Sequence, residues 1–193
     1  MLIELMTKGS RWYDMEIAKY YATRGKLTNL DASCYDSYTA LTYASSEGHL
    51  DIMEALLAAG ADKNKSSRRN GDAPLIHAAD VGHVECLKAL LSAGAAKDKA
   101  SKHGYTPLIR ASIDGHVGCV KELLAMGADV NKANIYGETP LICVSSDGYV
   151  EIVKLLLAAG AKKDKIDTDG KTALTWATAG GHHEVIQLLQ QGA

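Results

Sequence analysis

HGYTPLIRASIDGHVGCVKELLAMGADVNK, residues 103–132, is the most regular example of a layout that recurs along the chain. Its Thr-Pro-Leu opening starts at Thr106. Related openings start at Thr39, Ala73, Thr139 and Thr172. With Thr106 included, successive openings are 34, 33, 33 and 33 residues apart. A fixed period of this length predicts a solenoid, because each unit is too small to bury its apolar face alone and must stack on its neighbours.

Each unit is predicted to contain two short helices. In the quoted unit, Thr106 can cap the first helix with its hydroxyl, and Pro107 suits the first helical position. Gly115 can end that helix in a left-handed conformation. The second helix is expected to begin near His116 and to end at Gly127. It carries an apolar stripe at helical spacing, formed by Val120, Leu123 and Leu124.

Composition favours a folded intracellular protein. Hydrophobic residues make up 47% of the 193 residues and charged residues 23%, and Phe is absent, so the core must consist of aliphatic side chains. The formal charge of −2 gives no overall attraction to nucleic acids or acidic membranes. No apolar run approaches the roughly 18 residues of a membrane helix, and the opening MLIELMTKG is too short and too acidic for a secretory signal. We therefore expect the cytoplasm, or the nucleus, as its location.

The motifs that carry enzymatic or metal chemistry are missing from the sequence. Cys86 and Cys119 occupy positions where other units have Ile or Val, which predicts core residues rather than disulfides. There is no Cys-x-x-Cys pair, phosphate-binding loop or nucleophile elbow. The adjacent pair His182-His183 does not form a metal site, because neighbouring helical side chains point about 100° apart. We therefore expect a non-enzymatic protein with no metal and no cofactor.

The units divide the chain into one repeat domain, residues 1–193. Residues 1–33 lack the Thr-Pro-Leu opening and are interpreted as a degenerate N-terminal capping repeat, because a terminal unit has a neighbour on one side only. Residues 167–193 are interpreted as a C-terminal capping repeat with a more polar last helix. The central repeats are 34–66, 67–100, 101–133 and 134–166.

These units closely resemble the ankyrin repeat. The resemblance rests on Gly-Tyr-Thr-Pro-Leu, Asp-Gly-His and Met-Gly-Ala-Asp-Val-Asn, which start at residues 104, 114 and 126, and it extends from about residue 34 to 193. It implies an all-α solenoid of stacked helix-turn-helix units with β-hairpin loops, here called fingers. It also implies a concave groove between the fingertips and the first helices. The His that follows Thr-Pro-Leu in the family is absent, and packing by Ile is expected to substitute for it at positions 76, 109 and 142.

In the frame that the resemblance implies, the residue two after the Leu of each opening faces the groove. These residues differ in size and polarity, which would be hard to pack at equivalent interior places. Tyr, Arg and Trp in one row are also the residues that dominate interaction hot spots. The row consists of Tyr43, His77, Arg110, Cys143 and Trp176.

A second row is acidic and is expected at the end of each first helix, just before the glycine. Acids there oppose the helix dipole, so a role other than stability is expected, such as attracting Lys or Arg of a partner. A plain solvated edge is the alternative. The row consists of Glu47, Asp80, Asp114 and Asp147.

The fingers supply a third set of candidate contact residues. Tyrosines and one isoleucine, Ile135, on exposed turns are hard to explain by solubility, and Tyr provides contact area at low entropic cost. The set consists of Tyr38, Asp72, His103, Tyr105, Tyr136, Glu138 and Lys171. Recurring lysines after the second helices, such as Lys99 and Lys132, invite a nucleic-acid interpretation, but interleaved acids and the lack of accompanying aromatics disfavour it.

We interpret the chain as a monomeric, non-catalytic module that binds a protein or peptide through the groove and the fingertips, as an adaptor, scaffold or inhibitor. One alternative is an enzymatic or small-molecule site around His77, Arg110 and Cys143. Another is that the chain is a fragment of a larger scaffold of the same repeats.

Overall fold

The computed structural model describes Asp31 and residues 38–191. Most of the predicted N-terminal capping repeat lies outside this part of the chain, as do Gly192 and Ala193. The described residues form ten helices in five consecutive pairs: α1 Ala40–Glu47 and α2 Leu50–Ala58, α3 Pro74–Val81 and α4 Val84–Ser92, α5 Pro107–Ile113 and α6 Val117–Ala125, α7 Pro140–Asp147 and α8 Val150–Ala158, α9 Ala173–Gly180 and α10 His183–Gln190.

The ends of the first helices follow the predicted local chemistry. The hydroxyls of Thr39, Thr106 and Thr139 each accept a hydrogen bond from the backbone N–H three residues on, over 3.1 to 3.3 Å. Thr172 and Thr175 form a reciprocal capping box at the start of α9. Gly115, with φ of 72°, follows α5 in the left-handed conformation.

The helices stack in two layers, which confirms the predicted all-α solenoid. First helices pack against the first helices of neighbouring units, and second helices against second helices. The buried core runs along the stack through the Leu of the first four openings, Leu41, Leu75, Leu108 and Leu141, and the half-buried Leu174 packs against it. Ile76, Ile109 and Ile142 are 1%, 0% and 3% exposed, so aliphatic packing does replace the family's His. No helix of the described part is long and apolar enough to cross a bilayer.

The fingers before α3, α5, α7 and α9 are tighter than the expected β-hairpins. In the described residues, Ile166 and Thr172 form the only β-bridge. The reason is local: Asn134 Oδ1 accepts hydrogen bonds from the N–H groups of Tyr136 and Glu138, and Asp167 Oδ1 does the same in its own finger. These bonds satisfy the backbone within a turn, so strands do not extend.

Neighbouring fingers are joined by one backbone hydrogen bond at each junction. The N–H groups of Lys102, Ile135 and Thr168 donate to carbonyls of the preceding finger over 2.8 to 3.1 Å. The first spacing, of 34 residues, is one residue longer than the others, and the extra residue lies in the finger before α3. The backbone hydrogen bond that closes this finger runs from the N–H of Ser67 to the carbonyl of Asp72. It spans one residue more than the equivalent bond from Ser101 to Tyr105.

A ladder of side-chain bonds joins the connections after the second helices. Four Asp or Asn side chains accept from a backbone N–H of the following unit over 2.8 to 2.9 Å: Asp31 from Asp62, Asn64 from Ala96, Asp98 from Asp129, and Asn131 from Lys162. Lys99 Nζ donates to the carbonyl of Asn64 over 2.6 Å, and Lys132 Nζ to that of Asp98 over 2.7 Å. These two lysines therefore bridge layers.

Repeated histidines also connect neighbouring layers. Nε2 of His83, His116 and His182 lies 3.2, 3.0 and 2.8 Å from a backbone carbonyl near the end of the preceding first helix. Each ring also covers the glycine that ends that helix, so a Cβ on the glycine would lie less than 3 Å from the ring. These three histidines therefore have a structural role.

Candidate functional site

The last residue of each finger and the middle of each first helix border the same surface. The Arg110 guanidinium carbon lies 4.2 Å from the centre of the Tyr105 ring, and Lys171 Nζ lies 4.2 Å from the centre of the Trp176 ring. Between units, the rings of Tyr38 and His77 meet edge to face at 5.0 Å. We call the surface formed by the fingers and the exposed side of the first helices the groove surface. Its aromatic and cationic side chains are fixed by mutual contacts.

The diverse row on the first helices is only partly available on this surface. Tyr43, His77, Arg110 and Trp176 are half-buried and present part of their side chains. Cys143 differs, because it is 8% exposed and packs as a core residue. Burial raises the pKa of its thiol to about 12. The prediction that Cys143 offers contact area to a partner is therefore not supported, and its thiol is a poor nucleophile.

The acidic row contains one residue that is out of register. Glu47, Asp114 and Asp147 immediately precede the glycine that ends their helix, and all three are exposed. Asp80 precedes Val81 instead, so its carboxylate lies about 100° away around the helix. Its Oδ1 lies 3.5 Å from Nε of Arg110 in the next unit. Asp80 therefore lies within the groove surface, whereas the other three acids border it.

The finger residues also divide into accessible and buried members. His103 and Tyr136 are exposed, while Tyr38, Tyr105, Glu138 and Lys171 are half-buried. Asp72 is buried, with 5% exposure, which contradicts its expected place as an exposed tip residue. Ile135 and Ile166 are 57% and 58% exposed, and sequence reasoning singled out only the first. The signal for Ile166 was an aliphatic residue within the polar run 162–169.

The groove surface contains a group of polar side chains, some of whose buried atoms have no hydrogen-bond partner. This central cluster consists of Asp72, His77, Asp80 and Arg110. Buried atoms without a hydrogen-bond partner include Asp72 Oδ1, His77 Nε2 and Arg110 Nε. The 3.5 Å approach of Arg110 Nε to Asp80 is thus an ion pair without hydrogen-bond geometry. An unpaired buried donor or acceptor costs about 1 to 3 kcal/mol, so the cluster lowers the stability of the free protein.

Electrostatics in this region favour a neutral His77 beside crowded carboxylates. Burial lowers the pKa of His77, although the charges of Asp72 and Asp80 oppose this shift. Partial desolvation raises the pKa of Asp114, and the carboxylates of Asp80 and Asp147 raise it further. The acids at this edge therefore repel one another, and Arg110 compensates them only in part.

The finger before α9 contains a polar group whose hydrogen bonds are satisfied, formed by Asp167 and Trp176. Trp176 Nε1 donates to Asp167 Oδ2 over 2.7 Å, while Asp167 Oδ1 accepts from two backbone N–H groups. Desolvation alone would raise the pKa of Asp167, but these hydrogen bonds outweigh it and the pKa is lowered. Because the polar atoms of this group are paired, it does not call for a ligand as the central cluster does.

The described residues offer little for metal or covalent chemistry. Across Asp31 and residues 38–191, no three His, Cys, Asp or Glu side chains converge as a metal site. Cys86, Cys119 and Cys143 are free and buried. Burial raises the pKa of Cys119 to about 11, so this thiol is also protonated at neutral pH. The groove surface is therefore better suited to non-covalent contact.

The fold and this surface define a helical repeat protein with a variable face built on invariant layers. Comparison with known families agrees: a model described as "Ankyrin repeats (3 copies)" matches residues 63–134 and 119–193, and one described as "Ankyrin repeat" matches residues 36–68. The chain belongs to the ankyrin-repeat family. Members of this family are generally protein–protein interaction modules. A search of curated proteins finds no match to the chain.

Proposed function

We propose that this protein is a non-catalytic binding module that docks one protein or peptide segment along the groove surface. The observation that carries the proposal is the central cluster, in which Asp72, His77 and Arg110 each keep a buried polar atom without a partner. A protein that folds in spite of such a cost usually does so for function. A bound segment can supply the missing hydrogen bonds.

Aromatic and aliphatic side chains around the cluster support the same function. Tyr105 and Trp176 are held in place by cation–π contacts, so little side-chain entropy is lost when a partner packs on them. Tyr136 and Ile135 are exposed at the tip of one finger. Together these residues combine the rigid aromatic anchors and exposed apolar area that characterise interaction hot spots.

The test is affinity capture with mass spectrometry, using three forms of the protein as bait: native, a groove variant and a control variant. The groove variant carries Ala at Tyr105, Arg110, Tyr136 and Trp176. The control variant carries Ala at four exposed residues that form two ion pairs on the second helices: Lys121, Glu151, Lys154 and Glu184.

We expect the native protein and the control variant to recover the same partner and the groove variant to lose it. Circular dichroism and urea unfolding must first show that both variants are folded. Equal recovery by a folded groove variant would rule out this surface as the docking site. A partner lost only by the control variant would assign binding to the second helices instead.

A further inference from the structure

We infer that the central cluster is the place where the partner inserts a cationic side chain, Lys or Arg. This inference rests on the groove-docking function proposed above and specifies the chemistry of the partner. It follows from three properties of the cluster: its charge, the unusual burial of Asp72, and the hydrogen-bonding capacity of its unpaired atoms.

The charges of the cluster do not cancel. Asp72 and Asp80 are acidic, Arg110 is the only cation among the four residues, and the His77 ring is neutral because burial lowers its pKa. One negative charge therefore remains without a counter-ion inside the cluster. Asp114 lies close enough for its pKa to be raised by the Asp80 carboxylate, so the next layer adds to the negative potential.

Among the four residues of the central cluster, Asp72 gives the strongest evidence for a ligand. A carboxylate that is only 5% exposed is normally paired with a cation or with several donors, yet its Oδ1 has neither. Asp72 directly precedes Ala73, the N-cap residue of α3, and His77 lies one turn into that helix. The equivalent pairs of later units, Tyr105 with Arg110 and Lys171 with Trp176, are in contact at 4.2 Å, which places Asp72 beside the His77 ring. The equivalent residues of the later fingers, Tyr105 and Glu138, are half-buried and remain partly solvated.

A Lys or Arg side chain matches the unpaired atoms. Ammonium and guanidinium groups carry only donors, three and five N–H bonds respectively. Asp72 Oδ1 is an acceptor, and a neutral imidazole keeps one acceptor nitrogen, which Nε2 can provide. One cation can therefore satisfy both atoms and neutralise the remaining charge.

Arg110 is the cation already present in the cluster. Its guanidinium stacks on Tyr105, and its Nε faces Asp80 without a hydrogen bond. Because this Nε makes no hydrogen bond, the incoming cation breaks none there, and it shares the negative charge of Asp72 and Asp80 with Arg110. The extra residue in the finger before α3 distinguishes this unit from the others and coincides with the buried Asp72.

The fingertips offer a competing attraction for an acidic partner, because Arg69, Lys102 and His103 lie at the ends of two fingers. Arg69 and His103 are exposed, and Lys102 Nζ donates to the carbonyl of Arg68 over 2.6 Å. None of these three residues has a buried polar atom left unpaired. The cluster is therefore the stronger determinant, and the experiment below distinguishes the two.

The test is a selection of random dodecapeptides displayed on phage against four baits: the native protein, Asp72→Asn, the control Glu151→Gln and the groove variant described above. Asp72→Asn and Glu151→Gln remove the same charge, but Glu151 is exposed on α8 and outside the groove surface. An enriched peptide is then synthesised with its basic residue intact or replaced by Gln. Fluorescence anisotropy measures the affinity of both peptides for each bait.

We expect native protein and Glu151→Gln to enrich peptides with Lys or Arg at a fixed position. Replacing that residue by Gln should weaken binding to native protein about tenfold, which is about 1.4 kcal/mol, and should have little further effect on Asp72→Asn. Enrichment of peptides without a fixed basic residue, or of acidic peptides, overturns this inference and leaves groove docking intact. Equal enrichment by the groove variant, or no enrichment by native protein, overturns both.

Discussion

Replacing Gly82 with Ala should destabilise the protein through two separable effects. Gly82 has φ of 83°, where a residue with a Cβ costs about 1 to 2 kcal/mol. The added Cβ would also lie 2.5 Å from His116 Nδ1. The ring must then move, and it loses the 3.0 Å bond between Nε2 and the Asp80 carbonyl, worth about 0.5 to 1.5 kcal/mol. We expect a total loss of about 1.5 to 3.5 kcal/mol.

Gly160→Ala is the matched control. Gly160 has φ of 87°, and a Cβ there would meet no atom within 4 Å. Only the backbone cost of about 1 to 2 kcal/mol applies to this variant. Urea unfolding followed by circular dichroism gives the free energy of unfolding of each variant. The difference between the two glycine variants isolates the contribution of the His116 contact.

A double-mutant cycle tests whether the His116 ring causes the extra destabilisation of Gly82→Ala. In a His116→Ala background the ring is absent, so Gly82→Ala should cost no more than Gly160→Ala does. If Gly82→Ala is no more destabilising than the control in the native background, the ring does not hold neighbouring layers together. An undiminished cost in the His116→Ala background would assign the effect to the backbone alone.

Three further predictions follow from individual side chains. Lys132→Met should lower the free energy of unfolding in urea by about 1 kcal/mol, because its bond to the Asp98 carbonyl is lost, whereas Lys154→Met, which breaks an exposed ion pair, should change it by less than about 0.5 kcal/mol. Folding lowers the pKa of His77 below 6.5, so between the lowered pKa and pH 6.5 the unfolded chain binds more protons than the folded chain. The urea midpoint of native protein should therefore fall from neutral to mildly acidic pH more than that of His77→Gln. Cys143 should resist alkylation by iodoacetamide at neutral pH until urea unfolds the chain, and rapid labelling of Cys143 in the folded protein, detected by mass spectrometry, would contradict its raised pKa.

The helices were predictable because their signals are local and repeated. A hydroxyl at Thr106, a proline after it and a glycine at 115 specify the ends of a helix wherever they occur. The Leu positions define the core by period alone. The family match and the described helices confirm this part of the interpretation.

The candidate site was less predictable because it depends on register and on the finger backbone. A shift of one residue moves Asp80 into the groove surface and leaves Val81 in the position of the bordering acids. Asp72 and Cys143 are buried because of how the finger and its neighbouring helices pack, which residue type does not reveal. The half-buried and exposed members of the predicted set stay predictions until binding is measured.

The ladder that joins successive units has a consequence for how such a chain can change its length. Asn131 accepts its bond from the backbone of residue 162, so this bond does not depend on which side chain follows. The same holds where Asp98 accepts from the backbone of residue 129. Duplication, loss or exchange of a whole unit by recombination therefore leaves these bonds possible at the new junction. The side chains that meet a partner can thus be reshuffled, while the backbone N–H that completes each of these bonds is always supplied.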